Sequence, residues 1–175
     1  MTFCFFSCHK SEKDEITIIP HPKESLILSS YFNLDNFNVY ADKNSTPIAE
    51  LLTIELNKLD FTSDSIILFE DPIKDFSINL LIDSSISTYT EYYDLEINKN
   101  FILIRGSDRE GLIHGIYSLI QLIPRSSGID DSKLACVIIK DYPEFKWRGL
   151  LLDCCRHFMS IDFVKRYIDL LAYHK

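Results

Sequence analysis

Between Tyr93 and Arg105 the side chains alternate as a hairpin requires. Tyr93, Leu95 and Ile97 share one strand face, Asn98-Lys99-Asn100 is a turn, and residues 101–105 return as the partner strand. The period then changes. Leu112, Ile113, Ile116, Tyr117, Leu119, Ile120 and Ile123 recur at helical spacing as far as Pro124, behind a Ser107/Glu110 capping box. Gly111 and Gly115 lie one turn apart, so this helix can bring its backbone close to a sheet.

Upstream, residues 16–22 alternate and end at Pro20 and Pro22, predicting a first strand that leaves through an extended segment. Residues 37–40 predict another strand. Ser45-Thr46-Pro47 is a helix start, a capping hydroxyl followed by proline in the first turn, and Ile48, Leu51, Leu52, Leu56 and Leu59 continue at helical spacing. The apolar runs 65–69 and 77–82, separated by Asp71-Pro72, hold at least one strand, and 84–90 is polar loop. Residues 125–134 are a linker by composition, and 136–140 a short strand. The order strand, helix, strands, hairpin, helix predicts an α+β domain: an antiparallel sheet with two helices on one face.

The tail, residues 141–175, reads differently. After Tyr142-Pro143, residues 147–152 place apolar side chains on both faces, as in a strand buried on both sides. It stops at the polar knot Asp153-Cys154-Cys155-Arg156-His157. Ser160 then caps a helix with Asp162 in its first turn, where the helix dipole favours an anion. Val164, Tyr167, Ile168, Leu171 and Ala172 form its apolar stripe, and Lys165, Arg166 and Asp169 its polar side. Strand, polar loop and helix make one βα unit, read as cut off at Lys175.

Charge and composition narrow the function classes. A net charge of −8 argues against nucleic-acid binding, which needs clustered Lys and Arg. No stretch approaches the ~20 apolar residues of a membrane span. The five cysteines have neither metal-site nor disulfide-framework spacing, and Cys154 and Cys155 read as two small buried side chains rather than a vicinal disulfide. Residues 1–15 read in two ways. One is a frayed tail. The other is the remnant of a bacterial lipoprotein signal, with Cys8 lipidated and the hydrophilic stretch after it as a tether, which would imply export to the periplasm or outer surface and membrane attachment only through Cys8.

The tail also carries a long, correctly spaced motif: Asp141-x-Pro143-x-Phe145-x-x-Arg148-Gly149-Leu150-x-x-Asp153-x-x-Arg156-His157-Phe158, followed by Tyr167-Ile168-Asp169-x-x-Ala172-Tyr173-x-Lys175. It resembles the family 20 glycoside hydrolases, the β-N-acetylhexosaminidases. Ile18-Ile19-Pro20-x-Pro22 and the Gly111, Tyr117, Leu119, Gln121, Leu122 helix are similar to the family's N-terminal, non-catalytic domain. The resemblance implies residues 16–135 as that α+β domain and 136–175 as the first strand and helix of a catalytic (β/α)8 barrel, here truncated. It implies removal of terminal non-reducing N-acetylhexosamine from a glycan by a retaining, substrate-assisted mechanism, with no metal and no organic cofactor. The family's catalytic Asp-Glu pair would lie beyond Lys175, which makes this chain alone an inactive fragment. The alternative is a stand-alone, non-catalytic α+β interaction module.

Within the resemblance, Arg148 matches the arginine that donates to hydroxyls of the terminal sugar, a role suited to a guanidinium fork. Its other reading is a rim arginine paired with an acid. Asp153, Arg156 and His157 sit where the strand's C-terminal lip would be, either ordering the loop as supporting residues or touching substrate. The spacing of Gly106 and Gly111 is read as packing rather than as a phosphate loop. His114 is read as a partly buried polar residue, and no zinc motif is present.

Overall fold

The computed structural model describes residues 16–35, 37–62, 66–68, 73–124 and 132–175. The lipoprotein reading of residues 1–15, Cys8 included, lies outside them, as do Asp71-Pro72 and linker residues 125–131. The elements are β1 (Glu24–Asn33), β2 (Asn38–Ala41), α1 (Thr46–Asn57), β3 (Ile66–Leu68), β4 (Ser77–Ile82), β5 (Tyr93–Ile97), β6 (Phe101–Gly106), α2 (Arg109–Leu122), β7 (Lys133–Asp141) and α3 (Ile161–Tyr173). The strands form one seven-stranded sheet in the order β1-β7-β5-β6-β4-β2-β3.

That sheet is mixed, not antiparallel as expected. β1, β7, β5 and β6 pair antiparallel, whereas β6–β4, β4–β2 and β2–β3 are parallel. The reason is the helix between β2 and β3. A strand that returns through a crossover helix re-enters its sheet in the same direction. The 93–106 hairpin forms as predicted, with Leu95 opposite Ile104 and Tyr93 opposite Gly106.

One face of the sheet is sealed. Val39, Ile78, Ile102, Ile104, Leu95 and Ile139 project to it and are essentially inaccessible to water. Helix α2 lies against β4, β5 and β6, and α1 lies beside it against β2 and β3. α2 comes closest at its glycines. A Cβ on Gly111 would sit 2.2 Å from the Tyr92 carbonyl oxygen, and one on Gly115 would sit 2.4 Å from Ile104 Cγ2. The opposite face carries the half-exposed Asp94–Arg105 pair, a bidentate contact in which Nε and Nη2 donate to the two carboxylate oxygens at 2.9 and 2.6 Å.

Several local expectations change. Residues 16–22 join no strand. Ile16 and Ile18 are buried in the core, while the Ile19 backbone is bonded on both sides by the Gln121 amide, at 2.7 and 3.2 Å. The two prolines supply no N–H for a ladder, and a side-chain amide stands in. The first strand is β1 instead, an edge strand whose one buried residue, Phe32, left little pattern to read. Ser45 occupies the N-cap of α1 but makes no capping bond; Asp42 bonds the Ser45 N–H at 2.8 Å. At α2 the cap is Asp108, not Ser107.

The tail departs most. Residues 147–152 form no strand, and Trp147 and Leu151 are 91% and 94% exposed. A strand needs a neighbour to complete its ladder, and no described strand lies beside these residues. Cys154 and Cys155 are free, as expected, but exposed rather than buried. α3 forms, capped by Ser160 at the Phe163 N–H (3.3 Å), yet none of its residues is buried.

The glycine contacts generate a stability prediction. Gly111→Ala should cost at least about 1–3 kcal/mol in urea unfolding, because the Tyr92 backbone cannot move aside. Gly149→Ala, whose Cβ would meet nothing within 4 Å, should stay within ~0.5 kcal/mol of the parent. Equal losses at both positions would contradict this packing.

Candidate functional site

The site begins at the cap of α2. One oxygen of Asp108 accepts from the Gly111 N–H and the other from the Glu91 N–H, each at 2.8 Å. A single carboxylate therefore starts the helix and holds the loop before β5. Glu91 sits there at φ 59°, a left-handed conformation uncommon for a residue with a side chain. Its carboxylate lies 3.0 Å from His114 Nε2 on α2 and receives the Arg148 guanidinium. Arg148 also donates to the Phe145 carbonyl at 2.6 Å and to the Lys175 carbonyl at 3.3 Å.

A second cluster adjoins the first. The Tyr93 hydroxyl donates to Asp141 at 3.3 Å and accepts from Ser118 at 2.6 Å and from the Lys175 ammonium at 2.7 Å. Lys175 also reaches Asp141 at 3.2 Å and lies 4.9 Å from the centre of the Tyr93 ring. The other Asp141 oxygen accepts from the Lys23 N–H at 3.2 Å. Together the clusters wall a cavity of about 260 Å³.

Burial and charge compete here. Burial works to raise the Glu91 carboxyl, but bonds from Arg148 and His114 outweigh it and hold the group below its ordinary value. Burial lowers His114 and prevails over the opposing Glu91 carboxylate, so the imidazole is neutral at pH 7. Its Nδ1 is buried without a partner, which fits Nε2–H as the donor to Glu91. Burial likewise pulls the Lys175 amine down against the pull of Asp141, and it pushes the Tyr93 hydroxyl far up. The arrangement holds cations against one buried acid, Asp141, and one half-buried acid, Glu91.

The predicted site residues separate into two places. Arg148 turns back onto the α+β domain. Asp153 and Arg156 pair at 3.2 Å, with the same carboxylate accepting from the Cys155 and Arg156 N–H groups at 2.9 and 3.3 Å. That is a loop-ordering contact on an exposed turn. His157 is exposed beside it, and among the described residues no hydrogen bond or ion pair joins this turn to Arg148.

Comparison with known proteins decides what this contact joins. The profile "Glycosyl hydrolase family 20, domain 2" matches residues 15–142, and "Glycosyl hydrolase family 20, catalytic domain" matches residues 145–175. The chain belongs to glycosyl hydrolase family 20. A "Beta-hexosaminidase" of Porphyromonas gingivalis is 31% identical over 167 residues, 91% of this chain and 21% of that protein. "Beta-hexosaminidase subunit B1" of Dictyostelium discoideum is 31% identical over 159 residues, 86% of this chain and 27% of that protein. Among solved structures, the family 20 exo β-N-acetylglucosaminidase of Vibrio harveyi in complex with N-acetylglucosamine aligns at a TM-score of 0.73 with 27% identity, covering 89% of this chain and 24% of that one. The family 20 β-N-acetylhexosaminidase of Streptomyces coelicolor aligns at 0.74 with 25% identity, covering 90% and 33%. The chain thus spans between a fifth and a third of the length of these relatives.

The two clusters therefore bridge the two family 20 regions. Glu91, His114, Tyr93 and Asp141 belong to domain 2, and Arg148 and Lys175 to the start of the catalytic domain. Strand β7 pairs with β1 and β5 and lies within the residues that the domain 2 profile matches. Sequence reading missed Glu91, Tyr93, Asp141 and Lys175 as members of a site. Their partners are up to 118 residues away, and no local period signals such contacts.

A titration follows from this balance. In Glu91→Gln, His114 loses the carboxylate that raises it while burial, the larger influence, still lowers it, so its pKa should fall further in an NMR titration. A rise would contradict the arrangement.

Proposed function

We propose that this chain forms domain 2 and the first βα unit of the catalytic (β/α)8 barrel of a β-N-acetylhexosaminidase. The match of both family 20 profiles, end to end and in order, carries the reading. The substrate would be a glycan or oligosaccharide ending in N-acetylhexosamine, and the reaction would retain configuration through the substrate's own acetamido oxygen. The catalytic acids would be supplied beyond Lys175.

In this reading residues 147–152 become the first barrel strand once neighbours complete its ladder. Arg148 would then offer its guanidinium to hydroxyls of the terminal sugar, with the contact to Glu91 restricting its orientation. Asp153 and Arg156 would order the loop at the strand's end, with His157 beside them. A stand-alone interaction module is disfavoured, because residues 145–175 match the catalytic domain rather than a linker or a second binding module.

Hydrolysis of a chromogenic aryl N-acetyl-β-glucosaminide tests this. The 175-residue chain should be inactive, and a polypeptide joining it to the remaining strands of a family 20 barrel should be active. In the latter, Arg148→Ala should lower kcat/KM by roughly 100-fold, the loss expected for hydrogen bonds from a charged donor. Activity of the 175-residue chain itself, free of contaminating enzyme, would overturn the assignment.

A further inference from the structure

Helix α3 is ordered against domain 2 without burying any residue. Ile161, Phe163, Ile168 and Leu170 are exposed, and the other stripe residues, Val164, Tyr167, Leu171 and Ala172, are only half-buried. Burial of apolar area, the usual reason a helix docks, is therefore partial, with Tyr173 the α3 side chain packed against the core, and polar contacts add to it. These contacts lie at one end. The Tyr173 carbonyl accepts from Gln121 at 2.8 Å, and the Tyr173 ring packs edge-on against Tyr117 at 6.0 Å. The His174 ring contacts the Ile19 carbonyl at 3.2 Å. The Lys175 ammonium enters the Tyr93–Asp141 pocket, where its side chain is 7% exposed. Arg148, from the segment preceding the helix, bonds both the Lys175 carbonyl and Glu91.

We propose that domain 2 is a docking platform that holds the first βα unit by a polar clamp, two acid-floored sockets at Asp141 and Glu91 receiving Lys175 and Arg148. The proposal goes beyond the glycosidase reading and does not need it. The clamp fixes the C-terminal end of α3 and leaves Ile161, Phe163, Ile168 and Leu170, with Trp147 and Leu151, uncovered. The matching partner is thus a segment presenting two cations from the ends of one βα unit, not an apolar surface.

The sockets have the features such a clamp needs. Each acid is held by its own domain before the cation arrives: Asp141 by the Lys23 N–H and the Tyr93 hydroxyl, Glu91 by His114 and, through its backbone, by Asp108. A pre-ordered acceptor loses little freedom on binding, which favours the charge-assisted bond. The Lys175–Asp141 pair is buried, so removing either partner leaves the other charge without compensation; the partly exposed Arg148–Glu91 pair is sensitive through its charge-assisted geometry.

Amide hydrogen exchange on the full chain reads the clamp directly. In the parent, protection in α3 should be greatest at residues 170–174 and decline toward Ile161. Asp141→Asn, which leaves Lys175 buried without a counter-charge, and Glu91→Gln should each lower α3 protection by about tenfold or more while β5, β6 and α2 keep theirs. Because loss of a carboxylate can also disturb domain 2, a charge exchange supplies the second reading. Arg148→Glu alone should undock the helix, and Arg148→Glu with Glu91→Arg should restore protection. Unchanged α3 protection in Asp141→Asn and Glu91→Gln, or no recovery in the exchanged pair, would overturn the clamp.

Discussion

The polar contacts of this molecule depend on the close approach of helix α2 to the β5–β6 hairpin. Gly111 and Gly115 remove the side chains that would hold the two apart. Because the helix lies so near, Ser118 reaches the hydroxyl of Tyr93 and His114 reaches Glu91. Tyr93 is fully buried, and its hydroxyl opens toward Asp141 at the end of β7. A larger residue at either glycine would move the helix outward and open both sockets at once. The core and the site are one piece of packing here, seen from two sides.

The asymmetry between the two family 20 regions follows from what each can bury. Domain 2 has a complete sheet with one sealed face, so its stability rests on apolar burial. Residues 145–175 hold a helix with no fully buried residue and form no strand. They are ordered by directional polar contacts to their neighbour, which need fixed geometry but little area. Such contacts set position more than they supply stability, since desolvation offsets much of the attraction of a buried ion pair.

The parts of this fold that were legible in the chain are those written locally. The 93–106 hairpin has a turn flanked by alternating residues, and α2 has a long stripe with two glycines, so both read directly. The family motif in residues 141–175 placed Arg148 and the Asp153–Arg156 turn. Direction in the sheet was written only in the crossover through α1, which fixes β2, β3 and β4 as parallel. β1 was invisible because an edge strand with one buried residue has no strong period. At α2 the cap moved from Ser107 to its neighbour Asp108, whereas Ser45 keeps the N-cap position of α1 without a capping bond. The sockets themselves were unreadable: Arg148 meets Glu91 across 57 residues, and Lys175 meets Tyr93 across 82.

The most direct measurement is the Lys175 ammonium signal in a proton–nitrogen NMR spectrum of the selectively labelled chain near neutral pH. A side chain held between Tyr93 and Asp141 should exchange its protons slowly with water and show cross-relaxation to the Tyr93 ring. Rapid exchange equal to that of exposed lysines such as Lys99, with no contact to Tyr93, would contradict the docked arrangement on which this account rests.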